Sequence, residues 1–597
     1  MSPSEAPATT NPYTLSSARA DRPAVGLTTA IRRLAPLLVH ERVRVATACG
    51  ATIVSSAASL MTPMLIGRAV DTFIRTRNYA GVLQTAGLLL LLYMAGFVAA
   101  YVQTLQMGTV GRNVLFNLRN AIFTKLQHLP VDFFNQNKAG DLISRINNDT
   151  DKLNQFFAQA LVQLAANLFM MAGASIALLS LHVRLGTAAL VPGVAVLLIT
   201  RATGGWIRRR NAASLQALGS LSAEVQESIT NFRVVVVFNR VDYFRQQFAA
   251  ANERNYAASV RAGLATNIFV PAYGLALTLA QVLVLAYGFT LVTGGGLTVG
   301  LLIGFLLYVN SFYMPLRQLA VIWSSFQLAM ASLDRISDVL ALESNMPALP
   351  PAAPAAGAAP VLAFDHVRFH YPGGDEVLHD ATFALERGRT YALVGPTGGG
   401  KTTTASLMAR LYDPVAGQVL LDGRDIRTVP PDERTRKIGF ILQEPVLFTG
   451  TLKDNIAYGT PELQQLSDEA FTARLSARRL TGLLDRFEQG LNTKVTAAGE
   501  GVSLGQKQLV AFMRAVLRDP EILILDEATA NIDTVTEQLL EQILRELPPA
   551  TTKVVIAHRL NTIENADQIF FINAGEITLA GSMQDALDML LKGHRQS

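Results

Sequence analysis

The octapeptide Gly395-Pro-Thr-Gly-Gly-Gly-Lys-Thr402 follows the short apolar run Thr390-Tyr-Ala-Leu-Val394 and precedes a helix-like stretch, Thr403 to Tyr412. It fits the pattern G-x-x-x-x-G-K-[ST], in which backbone amides approach phosphate oxygens closely and therefore favour residues without side chains. A strand before the loop and a helix after it are the context that this pattern requires, which favours it over a plain glycine-rich turn. We therefore predict a phosphate-binding loop, in which Lys401 reaches the β- and γ-phosphates and Thr402 holds magnesium.

Two further apolar runs in this half of the chain end in residues with suitable chemistry. Ile522-Leu-Ile-Leu525 is followed by Asp526, a second magnesium ligand, and by Glu527, a general base for water. Val554-Val-Ile-Ala557 is followed by His558, which is able to hydrogen-bond a γ-phosphate or the attacking water. A histidine after a strand is usually structural, so these runs by themselves leave the role of His558 open.

The first half of the chain has the composition of a membrane protein. Of the 597 residues, 50% are hydrophobic and 16% are charged, and the mean hydropathy is +0.29, whereas a soluble domain normally lies below zero. Because a charge at the bilayer centre costs about 2.5 to 3.5 kcal/mol, runs without Asp, Glu, Lys and Arg indicate membrane spans. The longest run, 262–316, holds two spans separated by the turn Thr293-Gly-Gly-Gly296. The runs predict six spans, at about 45–67, 82–108, 156–181, 185–207, 265–292 and 298–321. In the fourth, the shorter run 185–200 is extended over 202–207, with the Arg201 side chain snorkelling to the interface.

Basic residues are concentrated in the same half. Residues 1–350 carry 27 Lys or Arg and 15 Asp or Glu, while residues 351–597 carry 24 and 31. The loops 112–152 and 201–261 contain six and nine basic residues, so these loops and both termini are predicted to be cytoplasmic. Both loops have helical patterning and few breakers, which predicts two helical hairpins that protrude from the membrane.

The remaining segments complete the predicted organisation. The domains are a polar, solvated tail over 1–28, a transmembrane domain over 29–343, a Pro- and Ala-rich linker over 344–360 and a nucleotide-binding domain over 361–590. The basic excess accompanies the apolar half, so it indicates loops that flank membrane spans and not a nucleic-acid partner. The single cysteine, Cys49, excludes an internal disulfide and a cysteine-based metal site.

In their order along the chain, the motifs of the second half resemble the nucleotide-binding domain of an ATP-binding cassette (ABC) transporter. The resemblance implies ATP and Mg²⁺ as cofactors. It identifies the segment Val502-Ser-Leu-Gly-Gln506 as the signature, which acts on ATP held by a second nucleotide-binding domain. The catalytic residues that it implies are Glu527, His558 and Gln443, and the metal ligands are Thr402, Gln443 and Asp526. The residues that it assigns to the nucleotide are Tyr371, Gly395, Pro396, Thr397, Gly398, Gly399, Gly400, Lys401, Thr402, Thr403, Ser503, Gly505, Gln506 and Asp533.

Three of these roles come from the resemblance alone. Tyr371 matches the aromatic residue that stacks on adenine, although an aromatic residue on a strand is also a common core residue. Gln443 matches the glutamine that senses magnesium and the attacking water. Ala530-Asn-Ile-Asp533 matches the loop that communicates across the dimer of nucleotide domains.

The first half resembles the six-helix membrane domain of exporters in the same family. Gly140-Asp-Leu-Ile-Ser-Arg145 and Asp149 match its first intracellular loop, and Glu224 to Phe238 matches the second. The implied fold class is a membrane all-α six-helix exporter domain with long cytoplasmic helical extensions, followed by an α/β P-loop nucleotide-binding domain. Short contact helices near Val131 to Asn137 and near Ala212 to Ser220 are expected to rest on the nucleotide domains. The resemblance implies half of a dimeric, ATP-hydrolysing translocase, with several spans in the cytoplasmic (inner) membrane.

Two signature residues depart from the family pattern. Leu504 stands where a small glycine is usual, and Val502 stands where leucine is usual. Leu504 is expected to weaken the ATP site on the partner's phosphate loop, whereas the residues of this chain's own loop match the family. We therefore favour a second, different half-transporter chain as the partner, with unequal ATP sites, over a homodimer. Gly399, where a serine is common, is expected to be tolerated.

The sequence does not identify the transported molecule. The interiors of the spans contain no acidic or basic side chain that would demand a charged substrate, so an amphipathic or hydrophobic drug or lipid is expected. The alternatives are a homodimeric lipid flippase, a peptide exporter, an importer on an exporter scaffold and a protein that ATP gates. The direction of nucleotide-dependent transport distinguishes the importer, and substrate-stimulated turnover distinguishes the gated protein.

Overall fold

The structure is a computed structural model, and it describes Tyr13, Leu15 and residues 34–352, 359–496, 501–526, 534–556, 564–582, 584–586 and 588–589. The chain forms two compact units. The membrane unit comprises residues 16–127 and 139–341, and the nucleotide unit comprises residues 1–15, 128–138 and 342–597. Residues 128–138, which lie between membrane segments in the sequence, therefore belong to the nucleotide unit.

The membrane unit confirms the predicted number of spans. Six helices in the described residues are long and apolar enough to cross a membrane: α1 (Leu34–Ile74), α2 (Tyr79–Gln127), α4 (Ala139–Leu181), α5 (Val183–Thr230), α7 (Val241–Thr293) and α8 (Val299–Leu340). They are 41 to 53 residues long, whereas about 20 helical residues cross a bilayer core. The excess length forms two extensions, one from α2 and α4 and one from α5 and α7. Between the helices of each pair lie the short helices α3 (Val131–Gln136) and α6 (Phe232–Val237).

Partly buried ion pairs and hydrogen bonds hold the first extension to α8. Arg145 of α4 is 1% exposed, and its Nε donates to Asp141 Oδ2 at 3.0 Å while its Nη1 donates to the Arg335 carbonyl at 2.7 Å. Arg335 of α8 donates to Asp141 Oδ1 at 2.8 Å and lies 3.3 Å from Asp149 Oδ2. The Ser332 hydroxyl donates to Asp149 Oδ1 at 3.0 Å. The charged residues of the first intracellular-loop motif therefore join two helices.

The second extension differs from the expectation. α5 continues to Thr230 without a break, so residues 212–220 lie inside a long helix and the predicted position of the second contact helix is wrong. The segment contains no proline, and its one glycine does not interrupt the helix; the helix ends instead at Asn231, outside the helical region of backbone angles. The short helix of this extension is α6, followed by Phe238, which is 71% exposed. Contact between α6 and a nucleotide domain stays a prediction.

The nucleotide unit is built on two main sheets. Its strands are β1 (Leu362–His370), β2 (Glu376–Leu385), β3 (Thr390–Val394), β4 (Ala416–Leu421), β5 (Arg424–Asp425), β6 (Ile438–Ile441), β7 (Gly450–Thr451), β8 (Lys494–Val495), β9 (Ile522–Asp526), β10 (Thr552–Ile556), β11 (Gln568–Asn573) and β12 (Glu576–Ala580). One sheet has the antiparallel order β2-β1-β4-β5. The other has the order β12-β11-β3-β10-β9-β6, in which all strands but β12 are parallel. Apolar residues such as Leu393, Leu407 and Ile524 form a core with residues of both sheets.

Helices complete the nucleotide unit. They are α9 (Lys401–Met408), α10 (Pro431–Lys437), α11 (Leu452–Ile456), α12 (Pro461–Gln464), α13 (Asp468–Ala477), α14 (Thr481–Leu484), α15 (Leu504–Val516) and α16 (Thr534–Arg545). Apolar residues of α11 to α16, among them Phe471 of α13 and Phe512 and Met513 of α15, form a second core. α9 begins at the phosphate loop and α15 begins within the signature, so both segments lie at helix starts.

Tyr13 departs from the solvated tail that the sequence predicts for this region. Its side chain is 2% exposed and its ring packs edge-on against Phe133 of α3, with 6.3 Å between ring centroids. The Tyr13 hydroxyl donates to the Glu343 carbonyl at 3.0 Å, and the Asn137 side chain donates to the Tyr13 carbonyl at 2.8 Å. Tyr13 is the one aromatic residue among residues 1–28, and the burial of its ring against Phe133 gives a physical reason for this contact.

Candidate ATP site

The parallel sheet brings the phosphate loop, Asp526 and Gln443 to one edge. Strands β3, β10, β9 and β6 are neighbours and run parallel, so their carboxyl ends lie at the same side of the sheet, where ligands of such sheets bind. β3 leads into the phosphate loop, β9 ends at Asp526, and Gln443 lies two residues after β6. Residues 527–533 and 557–563, which include Glu527, Asp533 and His558, lie outside the described residues.

The phosphate loop is enclosed by its own backbone and by β11. Lys401 is 5% exposed, and its Nζ donates to the carbonyls of Gly395 and Pro396, at 2.9 Å each. Gly395 has a φ of 151°, and a Cβ added there would lie 1.9 Å from the Ile572 carbonyl oxygen. A Cβ at Gly399 would lie 2.6 Å from the same oxygen. The structure thus gives a steric reason for glycine at 399, and Ile572 is a site residue for which the sequence offers no signal.

The residues proposed for magnesium have suitable chemistry. Asp526 is 2% exposed at the end of β9, while the side chains of Thr402 and Gln443 are exposed. Carboxylate, hydroxyl and amide oxygens are hard ligands that suit Mg²⁺, which is usually bound by one or two protein groups together with substrate phosphates. In the part of the chain that the structure describes, no group of three or more His, Cys, Asp or Glu side chains could hold a metal ion. The donor set therefore fits an ion that arrives with the nucleotide.

Tyr371 links β1 to the first turn of α9. Its hydroxyl lies 3.0 Å from Thr403 Oγ1, so one of the two groups donates to the other. Its ring packs edge-on against Phe369 and Tyr412, with centroid distances of 5.0 Å and 5.2 Å. Tyr371 is therefore part of an aromatic cluster at the margin of the core. Stacking on adenine stays a prediction for this residue.

A hydrogen bond joins α3 to the same aromatic cluster. Asn135 Nδ2 donates to the Tyr412 hydroxyl at 2.8 Å, and both residues belong to the nucleotide unit. Burial raises the pKa of Tyr412, so its hydroxyl stays protonated at neutral pH. The expectation that residues 131–137 rest on a nucleotide domain is confirmed. The pairing of Asn135 with Tyr412 was missed, because nothing in the sequence relates two positions so far apart.

The signature segment is a capped helix start. Ser503 precedes α15, and its hydroxyl accepts from Gln506 N at 3.2 Å while its own N donates to Gln506 Oε1 at 2.8 Å. Gln506 Nε2 also donates to the Arg486 carbonyl at 2.7 Å. Val502 is 8% exposed and belongs to the core of the helical part, whereas Leu504 is 47% exposed. The two departures from the family pattern therefore lie in different environments, one in the core and one at the surface.

Comparison with known proteins agrees with this geometry. The pattern of the ABC transporter transmembrane region matches residues 45–316, and that of the ABC transporter matches residues 378–530. The chain is 34% identical to the fatty acid ABC transporter ATP-binding/permease protein of Mycobacterium tuberculosis over 85% of this chain and 80% of that protein. It is 32% identical to an uncharacterized ABC transporter ATP-binding protein of Bacillus subtilis, over 90% and 88% of the two chains. It is 30% identical to a multidrug resistance ABC transporter ATP-binding and permease protein of Lactococcus lactis, over 89% of each chain.

A phosphate loop on a parallel sheet, on the same chain as six membrane-length helices, defines an ATP-hydrolysing transporter subunit embedded in a membrane. The chain belongs to the ABC transporter family, as an exporter-type half-transporter with one membrane domain fused to one nucleotide-binding domain. Half-transporters of this kind dimerise. The predicted fold class, a helical transmembrane domain followed by an α/β nucleotide-binding domain, is confirmed.

Proposed function

We propose that this chain exports an amphipathic or hydrophobic substrate, of the drug or lipid class, across the cytoplasmic membrane. The observation that carries the proposal is the phosphate loop with its buried Lys401, on a chain that also carries six membrane-length helices. ATP bound between two nucleotide domains draws them together, and the helical extensions pass this closure to the spans. Hydrolysis returns the spans to the inward-facing state. The basic residues of the two long loops support a nucleotide domain and termini on the cytoplasmic side in this proposal.

Each residue of the site has a separate role in this proposal. The backbone amides of residues 395–402 bind the phosphates, and Lys401 neutralises the β- and γ-phosphate charge. Tyr371 stacks on adenine. Glu527 accepts a proton from the attacking water, and His558 and Gln443 orient the water and the γ-phosphate. Ser503 and Gly505 act on the ATP of the partner chain, while Gln506 keeps their helix start in shape.

Magnesium completes the site in the proposal. Thr402, Asp526 and Gln443 would hold the ion, which neutralises negative charge on the β- and γ-phosphates when it is bound. Removal of Mg²⁺ with a chelator should abolish ATP hydrolysis. We expect added Mg²⁺ to restore it and additional ATP alone to leave it lost. Hydrolysis that survives complete chelation would contradict the metal assignment.

The partner is proposed to be a second, different half-transporter. Leu504 exposes a branched apolar side chain where a phosphate group of the partner's ATP is expected. This chain, in contrast, keeps Lys401 in its phosphate loop and Asp526 at the end of β9. One ATP site of the dimer would then combine this chain's loop and carboxylates with the partner's signature, and it would hydrolyse faster than the other site. A homodimer with two equal sites is the alternative.

The substrate class is supported by the spans and by two relatives. Apart from Arg201 and Arg317, which lie toward the C-terminal ends of their spans, the predicted spans lack acidic and basic side chains, which disfavours a strongly charged cargo. One relative is named as a fatty acid transporter and another as a multidrug resistance transporter. Fatty acids and many drugs are amphipathic. We therefore propose an amphipathic molecule that enters from the membrane.

The proposal is tested with inside-out vesicles that contain the chain alone or together with the product of a neighbouring, similar gene. We expect ATP-dependent uptake of a fluorescent amphiphile. We also expect ATPase activity when the two chains are present together. Glu527→Gln should lower hydrolysis about 10²- to 10⁴-fold while ATP still binds. Glu469→Gln, an exposed residue of α13, is the matched control and should have no effect.

Three outcomes decide between the alternatives. Equal activity of the chain alone, with two equal ATP sites, would establish the homodimer. Efflux from the same vesicles would establish an importer. ATP binding without substrate-stimulated turnover would favour a protein that ATP gates.

A further inference from the structure

A crevice of about 480 Å³ lies between α5 and α7 of the membrane unit. From α5 it is lined by Trp206 and Arg210, and from α7 by Arg261, Leu264, Asn267 and Ile268. Its volume falls within the range of small-molecule sites, about 300 to 1,000 Å³. The ATP site uses none of these residues. The crevice is therefore separate from the ATP site.

The charge in this crevice is positive and uncompensated. Within the described residues, neither Arg210 nor Arg261 forms an ion pair or a side-chain hydrogen bond. The helix segments 201–215 and 250–268, which contain the lining residues, carry six arginines and one acid, Glu253. Two guanidinium groups that line one crevice from neighbouring helices have the chemistry to bind a carboxylate or a phosphate, which accepts several hydrogen bonds at once.

Apart from the polar side chain of Asn267, the remainder of the lining is apolar, and most of it is exposed. Leu264 is 70% exposed and Ile268 is 58% exposed, while Trp206 is 42% exposed. Leu264 and Ile268 are one helical turn apart on α7, so they form a continuous apolar strip beyond Arg261. An apolar strip of this kind is suited to contact with an acyl chain and not with water.

The sequence places the crevice at the boundary of the membrane. On α5, the charge-free run 185–200 ends near the crevice, and arginines follow it at once. On α7, the charge-free run 262–316 begins beside the crevice, directly after Arg261. Tryptophan is enriched at this depth, where its ring is amphipathic, and arginine reaches from this depth to lipid head groups. Polar contacts hold the two helices together here, between Asn211 and Thr266 at 3.4 Å and between Ser214 and Ser259 at 3.2 Å.

We infer that this crevice binds an anionic amphiphile, whose carboxylate or phosphate group pairs with Arg210 and Arg261 while its acyl chain lies along Leu264 and Ile268. Basic pockets between membrane helices on the cytoplasmic side bind anionic head groups. A free fatty acid and an anionic phospholipid share this chemistry. Binding requires neither nucleotide nor transport, so the site is tested independently of the proposed function.

The chain contains its own reporter for this test. It has two tryptophans, Trp206 and Trp323, so Trp323→Phe leaves Trp206 as the sole one. Trp323 is 49% exposed, and its ring lies tilted against that of Phe326 with 5.1 Å between centroids, which makes phenylalanine a mild replacement. The full-length variant is placed in phosphatidylcholine nanodiscs, and quenching of Trp206 fluorescence is titrated with three brominated probes over the same range of mole fractions. The probes are dibromostearic acid, dibromo-phosphatidylglycerol and dibromo-phosphatidylcholine.

The matched variants change charge at two positions each. Arg210→Gln with Arg261→Gln removes both guanidinium groups of the crevice, and Arg208→Gln with Arg209→Gln removes two arginines of the same helix that do not line it. We expect an anionic probe to quench at about tenfold lower mole fraction than dibromo-phosphatidylcholine. That excess should vanish in the crevice variant and persist in the control variant. Near-ultraviolet circular dichroism of each variant checks that the fold is intact.

Each outcome decides the inference. An excess for dibromostearic acid alone assigns the crevice to free fatty acid, and an excess for dibromo-phosphatidylglycerol alone assigns it to phospholipid; both support the site. Equal quenching by all three probes overturns it. An excess that survives loss of Arg210 and Arg261, or that the control variant loses equally, also overturns it. Unlabelled oleate added to the unsubstituted crevice should reverse quenching, which keeps the test valid if a variant does not fold.

Discussion

The phosphate loop and the signature segment lie in the same nucleotide unit but have opposite surroundings. Lys401 of the loop is 5% exposed, and the Ile572 carbonyl leaves no room for side chains at Gly395 and Gly399. Leu504 of the signature is 47% exposed at the first residue of α15. We propose that the enclosed loop holds the ATP of its own chain, whereas the exposed helix start acts on the ATP of the partner. Changes in the loop should therefore affect this chain's ATP, and changes in the signature should affect the partner's.

Lys401→Ala tests the enclosed half of this comparison and should have the largest effect. It removes the cation that lies among the loop carbonyls and is expected to meet the phosphates, so ATPase activity should fall about 10²- to 10³-fold. Turnover is measured by phosphate release from the reconstituted dimer. Lys494→Ala, an exposed lysine of β8, is the control and should leave the rate unchanged. A rate close to that of the unaltered chain would mean that this loop does not serve the hydrolytic site.

Gly399→Ser tests whether the enclosure is steric. The added Cβ would lie 2.6 Å from the Ile572 carbonyl oxygen, so either the loop or β11 must move. Overpacking of this kind costs about 1 to 3 kcal/mol, which corresponds to roughly 5- to 150-fold weaker ATP binding. Binding is measured by isothermal titration calorimetry without hydrolysis. Gly482→Ser in α14, where an added Cβ would meet only the Leu539 side chain at 3.6 Å, is the control and should leave ATP binding unchanged. Unchanged affinity for Gly399→Ser would show that the loop accommodates serine, as the sequence alone suggests.

The phosphate loop and the signature segment also differ in how much of each could be predicted from the sequence. The loop has a regular pattern, and its strand, its glycines and Lys401 were predicted because phosphate binding requires them in that order. The carbonyl of Ile572 was not, because a backbone atom from β11 leaves no trace in the side chains of the loop. The difference between Val502 and Leu504 was also beyond the sequence, since burial depends on how α15 packs on the helical part. The same reason explains why Asn135 and Tyr412 were not paired.

Leu504→Gly tests the exposed half. It removes the branched side chain from the surface that is expected to meet the partner's ATP, so hydrolysis at the site formed there should rise about five- to tenfold as the steric cost is lifted. The measurement is turnover of the dimer in which the partner's phosphate loop is intact and this chain carries Lys401→Ala. That background leaves the affected site as the main source of phosphate.

Val502→Leu is the matched control for the signature. It also restores the residue usual in the family, but Val502 is 8% exposed within the core, so the substitution should change stability slightly and leave turnover unaltered. A rise for Val502→Leu that equals the rise for Leu504→Gly would show that exposure does not distinguish the two positions. In that case the contrast between an enclosed loop and an exposed signature would lose its functional meaning.

Tyr412→Phe should have the smallest effect and sharpens the comparison on the loop side. It removes the hydroxyl that accepts from Asn135 of α3 but keeps the ring that packs against Tyr371. A hydrogen bond of this kind contributes about 0.5 to 1.5 kcal/mol, and because Asn135 is exposed we expect a value near the lower end of that range. This corresponds to a roughly two- to threefold loss of substrate-stimulated turnover. The KM for ATP should stay constant, because the aromatic cluster is retained. Asn135→Ala should produce the same loss, and the double variant should add nothing to it, since both changes break one contact. A raised KM for ATP in Tyr412→Phe alone would instead mean that the hydroxyl supports the nucleotide pocket and that α3 does not act through it.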